Sequence, residues 1–141
     1  MRGNDDVTGI IIGEAIAIHR ELGPGLLEST YETCLASTLS ARGLPVERQV
    51  ALPVVFRGQR LDCAYRIDLL VDGHVIVELK TVTSLESLHF AQVMTYLKFS
   101  GCPVALLINF NVLRLTDGLR RIVRGHTDAL APSSVLGGPR R

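Results

Sequence analysis

Tyr65-Arg66-Ile67-Asp68-Leu69-Leu70-Val71-Asp72-Gly73-His74-Val75-Ile76-Val77-Glu78-Leu79-Lys80 is two strand-forming runs folded about a turn. Arg60 to Val71 reads as one strand, His74 to Lys80 as the next, and Asp72-Gly73 between them is a strong hairpin signal. Asp68 stands on the first strand, and Glu78 and Lys80 on the second. Two residues apart, Glu78 and Lys80 project from one face of their strand.

Whether Asp68 joins that face depends on the turn. A two-residue turn at Asp72-Gly73 sets Val71 opposite His74 and Asp68 opposite Val77, so Glu78 faces away from Asp68. A three-residue loop through His74 sets Val71 opposite Val75 and Asp68 opposite Glu78, and a bulge near Asp68 has the same effect. If the three residues work together, the hairpin must have an odd-length loop or a bulge.

Together they fit phosphodiester hydrolysis. Two carboxylates can hold a hard divalent ion such as magnesium and leave positions for waters and a phosphate oxygen. The ion acidifies a water and offsets charge on the phosphate, while Lys80 orients that water or stabilises the transition state. The backbone carbonyl of Leu79 is a further candidate ligand. The alternative is that Asp68 and Glu78 pair with Arg66 and Lys80 on a solvated face, as surface ion pairs of little energetic weight. Against it, Glu78 lies among Val75, Ile76, Val77 and Leu79, where an ionised group needs a partner or a metal.

Upstream, Ile11, Ile12, Ala15, Ile16 and Ile18 recur at helical spacing, predicting a helix from Val7 to Leu22 with Thr8 as its N-cap. Gly23-Pro24-Gly25 stops it; without a preceding strand or a Lys-Ser/Thr ending it is no phosphate loop. A second helix is predicted from Leu26 to Arg42, with Leu27, Tyr31, Leu35 and Leu39 as its apolar stripe and Gly43 as its end. Glu28 adjoins that stripe and can point into the same pocket as Asp68 and Glu78; Glu32 reads equally well as a solvated neighbour. Val46 to Phe56 reads as a first strand, with a turn at Arg57-Gly58.

Downstream, the polar loop Thr81 to Ser84 leads into a helix from Leu85 to Phe99. Leu85, Leu88, Gln92, Tyr96 and Phe99 share one face at 100 degrees per residue. Gln92 interrupts it, and a glutamine there must satisfy its amide, either at a site on the adjacent sheet, with Tyr96 one turn on, or on backbone. Val104 to Phe110 suits a buried strand, and Leu119 to Val123 a last strand or turn. The expected fold is a mixed α/β or α+β sheet with helices packed on it.

Composition narrows the classes. The 141 residues, 47% apolar, suit one domain, expected over residues 1–127, with 128–141 as a flexible tail. A formal net charge of +1 gives no general attraction to polyanions. Phosphate contacts must be local, and Arg114, Arg120, Arg121 and Arg124 form the densest basic group. The basic residues are 13 Arg and 2 Lys, and one of the two lysines is Lys80. Cys34, Cys63 and Cys102 form no CxxC pair, which points to a reducing cytoplasm. His19, His74, His89 and His126 show no metal spacing, although His89 can approach the site; a surface position is the competing reading. Neither a signal peptide nor a membrane span is expected.

Asp68, then Glu78-x-Lys80, then Gln92-x3-Tyr96 resembles the PD-(D/E)XK nuclease superfamily, in particular its RecB and Cas4-like exonuclease branch. Gly25-Leu-Leu-Glu28-Ser-Thr-Tyr31 resembles the pattern that names the bacterial GxxExxY proteins of that superfamily. The likeness runs from about Ile10 to Val123. It implies a restriction-endonuclease-like α-β-β-β-α-β core, with Asp68 and Glu78 as metal ligands and Lys80 as the catalytic lysine. Glu28, Gln92 and Tyr96 become supporting site residues, Glu28 as a further acidic ligand. The expected function is a Mg2+- or Mn2+-dependent nuclease acting on DNA ahead of RNA. The rival is a non-catalytic nucleic-acid-binding or assembly protein that keeps the fold. A homo-oligomer or a partner protein would supply binding surface that so small a domain lacks.

Overall fold

The computed structural model describes residues 3–62 and 65–125. Cys63, His126 and the tail from 128 to 141 lie outside the described residues. Helix α1 (Asn4–Leu22) starts ahead of the expected Thr8 cap. Asp5 and Asp6 in its first turn suit the positive end of the helix dipole, and the Gly3 amide donates to Asp6 Oδ2 at 3.3 Å. Thr8 is instead buried within the helix, its hydroxyl donating back to the Asp5 carbonyl. Helix α2 (Glu28–Ala41) buries Tyr31, Leu35 and Leu39 as expected, whereas Leu27 becomes its exposed capping residue.

Strand β1 (Val46–Ala51) ends before Pro53, so the single strand expected from Val46 to Phe56 is broken. Strands β2 (Val54–Phe56) and β3 (Gln59–Leu61) form a two-stranded sheet of their own. Strand β4 (Arg66–Val71) then returns beside β1, followed by β5 (Val75–Lys80), helix α3 (Ser87–Ser100) and β6 (Val104–Asn109). A 3-10 turn (Leu115–Gly118) leads to β7 (Leu119–Val123). The main sheet has the order β1-β4-β5-β6-β7; β5 and β6 are parallel, joined through α3, and the other pairs are antiparallel. This is the expected mixed sheet, with α2, β1, β4, β5, α3 and β6 in α-β-β-β-α-β order.

The pleat sorts side chains into two layers. Leu69, Val71, Val75, Val77, Leu79, Leu106 and Ile108 pack under α1 and α2. Ile76, Ala105, Leu107 and Ile122 pack under α3. Glu78 and Lys80 alternate in step with Ile76 and therefore belong to the α3 face. All of β6, and all of β5 except Lys80, is buried, as central strands covered on both faces must be.

Helix α3 corrects the sequence reading. Its packing stripe is Phe90, Val93 and Leu97 with Tyr96, while Leu88 is 82% exposed. Leu85 and Phe99 of the expected face still pack, partly buried, against the same cluster, so Leu88 alone of its apolar residues turns to solvent, and Gln92 lies half-buried at the flank. None of the described helices is long and apolar enough to cross a membrane.

Candidate active site

The hairpin joining β4 and β5 sets the geometry. Asp72 and Gly73 both have positive φ, 54° and 73°, as a type I′ turn requires, and the His74 amide closes it on the Val71 carbonyl at 3.2 Å. His74 is nevertheless an extra residue, because Val71 pairs with Val75 and Leu69 with Val77. One step further the same register sets Asp68 opposite Glu78. The loop is thus of the odd length that the chemistry demanded.

At that row the main-chain ladder gives way to side chains. The Asp68 amide donates to Glu78 Oε1 at 3.0 Å, and the Leu79 amide donates to Asp68 Oδ2 at 2.9 Å. Each carboxylate takes an amide that a regular ladder would have paired with a carbonyl. The opening extends into β1, where pairing with β4 runs through Arg48 and Val50 but skips Gln49. Gln49 has φ 53°, a conformation unusual for a non-glycine residue. Its amide nitrogen donates to Asp68 Oδ1 at 3.2 Å and to Glu32 Oε1 at 2.8 Å. Glu32, buried on α2, also accepts from Arg48 Nε at 3.1 Å. It is therefore part of the site's support and not the solvated neighbour it resembles in the sequence.

Lys80 Nζ donates to Gln92 Oε1 at 3.0 Å, which accounts for the glutamine on α3. Tyr96 is buried one turn on, with its hydroxyl beside Gln92. Next to Lys80, buried Asn109 clamps the exit of β5: its Oδ1 accepts from the Val82 amide at 3.1 Å, and its Nδ2 donates to the Val82 carbonyl at 2.9 Å. Glu28, in the first turn of α2, lies within electrostatic reach of Asp68 and Lys80. The turn ahead of α2 is fixed by Tyr31, whose hydroxyl donates to the Gly23 carbonyl and accepts from the Leu26 amide while its ring stacks on Phe110 at 4.3 Å.

Electrostatically this is a crowded acidic site. Glu78 is 3% exposed, and burial, reinforced by the Asp68 charge, pushes its pKa up to about 8, although the Asp68 amide and Lys80 pull the other way. Burial and then Asp68 also raise Glu28. Tyr96 is pushed up to about 12, first by burial and then by Glu78 and Asp68, so its hydroxyl keeps its proton. A divalent cation would relieve the repulsion within such a group. Among the described residues no donor reaches Glu78 Oε2, which leaves a buried carboxylate oxygen available to a hard ion. In a strand the N–H and C=O of one residue point to the same side. Since the Leu79 N–H meets Asp68, the Leu79 carbonyl faces the β4 side as well. The donor set thus fits a magnesium-like ion. Among the described residues no three Asp, Glu, His or Cys side chains converge to enclose one.

The arginine group is dispersed. Arg114 lies 3.8 Å from Asp117, and Arg120 donates to the Asp117 and Leu119 carbonyls. Arg121 pairs with Asp5 at 2.8 Å, and Arg124 donates to the Cys102 carbonyl. These residues lie on β7 or next to it, two strands from β5, and do not form one open basic patch. His89 caps α3 by accepting from the Glu86 amide, and His19 bonds to the Val112 carbonyl. Three members of the site escaped the sequence reading. Gln49 and Asn109 carry no motif, and Glu32 carried only its i+4 spacing from Glu28.

Comparison with curated proteins and with solved structures found no significant match. A family model described as the PD-(D/E)XK nuclease superfamily matches residues 5–122, a span that runs from the first turn of α1 into β7. With that match over most of its length, the chain belongs to the PD-(D/E)XK nuclease superfamily.

Proposed function

We propose that this protein is a divalent-metal-dependent nuclease of the GxxExxY kind that hydrolyses phosphodiester bonds, in DNA ahead of RNA. The observation that carries this reading is the opposed Asp68 and Glu78 pair, each carboxylate held by the other strand's amide, with Lys80 tethered to Gln92 alongside. Asp68, Glu78 and the Leu79 carbonyl would hold Mg2+ or Mn2+, with Glu28 supporting through solvent. When bound, the ion supplies Lewis acidity to the attacking water and to the phosphate. Lys80 orients that water or stabilises charge on the phosphate, and Gln92 fixes its ammonium. Tyr96, whose pKa is pushed up to about 12, stays protonated beside Gln92. The free thiols Cys34 and Cys102 agree with a reducing, cytoplasmic setting.

A second reading, a nucleic-acid-binding or assembly protein without hydrolysis, is favoured by the lack of a third converging side-chain ligand among the described residues. One experiment separates the two: incubation with Mg2+ or Mn2+ and a panel of single- and double-stranded DNA and RNA, comparing the parent with Lys80→Ala. The nuclease reading expects metal-dependent cleavage that falls at least 100-fold in the variant, in the range typical of removing a transition-state donor. Binding without cleavage of any substrate would select the second reading.

A further inference from the structure

The chain between β1 and β4 does more than connect them. The Leu52 amide still pairs with the Tyr65 carbonyl at 3.0 Å, and beyond that root β2 and β3 form a separate hairpin. Every residue from Val55 to Arg60 is exposed. The root lies three residues past the Gln49 and Asp68 row, about 10 Å at the rise of a strand. The arm therefore springs from the same two strands that hold the metal-binding candidates.

Its composition differs from that of a plain connector. Phe56 is 56% exposed, with the Arg57 guanidinium 5.0 Å over its ring; Val55 and Tyr65 are exposed too. Arg60 and Arg66 add charge, against the single acid Asp62, which Arg60 approaches only to 3.9 Å. Among the described residues neither Arg57 nor Arg66 has an acidic partner. Arg57 also sits at φ 51°, followed by Gly58 at φ 75°, in a turn position that asparagine or glycine occupies most readily. An arginine there is held in a left-handed backbone conformation that its Cβ disfavours. Strain of this kind gathers at ligand clamps.

We propose that this arm is the nucleic-acid-binding element of the protein, and that its ligand is a single strand with accessible bases. An exposed aromatic ring paired with arginine matches the stacking and phosphate contacts by which single strands are held. Phe56 takes a base, while Arg57, Arg60 and Arg66 take phosphates leading to Asp68. The arm supplies the open cationic surface that β7 lacks. The inference rests on the nuclease reading for its substrate, but it concerns binding and not hydrolysis.

The test is fluorescence anisotropy in EDTA, with a labelled single-stranded oligodeoxynucleotide and the duplex of the same sequence. Parent, Phe56→Ala and the double variant Arg57→Gln/Arg60→Gln are compared, with thermal melts as the folding control. Both variants should keep the parent melting temperature and bind the single strand at least 5-fold more weakly. The double variant should also flatten the log-log salt slope by about 0.7 per arginine. The parent should prefer the single strand to the duplex. Parent-like affinity in both variants would overturn the proposal even if Lys80→Ala abolishes cleavage. So would a parent dimer that Phe56→Ala splits without any change in affinity, because the arm would then serve a second copy of the chain. Arm-dependent binding by a parent that cleaves nothing would support the arm and sink the nuclease reading.

Discussion

Asp68 and Glu78 face each other across the β4–β5 hairpin because His74 is one residue more than the turn needs. Deleting His74 should leave a two-residue type I′ hairpin and slip the register by one. Val75, Val77 and Leu79 would then leave the layer under α1 and α2, at roughly 1.5–3 kcal/mol each. The expected result is a large fall in melting temperature and loss of manganese binding. His74→Ala keeps the residue count and should retain both. If the deletion variant bound manganese as the parent does, the register argument would be wrong.

Gln49 holds Asp68 and Glu32 at once from a strained backbone position. Gln49→Gly relieves the strain but removes both hydrogen bonds. Stability should change by no more than about 1 kcal/mol, since a glycine suits positive φ while the lost bonds are partly exposed. Metal affinity should drop several-fold, because Asp68 loses its orientation. Calorimetry and denaturation on one preparation separate the two effects, and unaltered affinity would make Gln49 a bystander.

Stability in the absence of metal should depend on pH through Glu78. Its pKa in the folded chain is about 8, against an ordinary 4.5. Between those values the folded state keeps a proton that the unfolded chain has released, so stability falls as pH rises and levels off above about 8. At 1.36 kcal/mol per pH unit the upper limit is about 5 kcal/mol. Glu28, raised in the same direction, adds to the trend. Urea denaturation in EDTA from pH 5 to pH 8 should show the decline, and Glu78→Gln should flatten most of it. Metal affinity should rise over the same window, as proton and cation compete for one carboxylate. Stability that climbs with pH would contradict the assignment.

Two glycines should respond oppositely to alanine. A Cβ on Gly118 would run into the Asn109 carbonyl oxygen, whereas one on Gly9, within α1, meets nothing within 4 Å. Gly118→Ala should cost about 1–3 kcal/mol through overpacking. Gly9→Ala should stabilise by about 0.5–1 kcal/mol through helix propensity. Equal effects in thermal melts would show that the contact at Asn109 is easily relieved.

The strands and helices that carry the motifs were legible because their signals are local. Asp72-Gly73 marks the turn, Tyr31, Leu35 and Leu39 mark one buried face, and Glu78-x-Lys80 marks the strand face of the site. Legibility stops where non-local competition decides. Leu88 and Phe90 begin rival stripes on α3, and only the sheet beneath selects Phe90. Pro53 was visible, but a strand running through it and a strand ending at it differ in what pairs alongside. Gln49, Glu32 and Asn109 owe their roles to partners 17 to 27 residues away, a distance over which no periodicity reports. The arginines near β7 were grouped by sequence proximity, yet strand alternation and local acids disperse them.

The central claim is that Asp68 and Glu78 jointly hold one divalent ion. The most direct test is calorimetric titration of Mn2+ into the parent, Asp68→Asn and Glu78→Gln at pH 8, each checked by a thermal melt. The account predicts one site in the parent and at least a 10-fold loss of affinity in each variant, with a melting temperature unchanged or raised because a buried repulsion is relieved. Parent-like manganese affinity in both variants would contradict it.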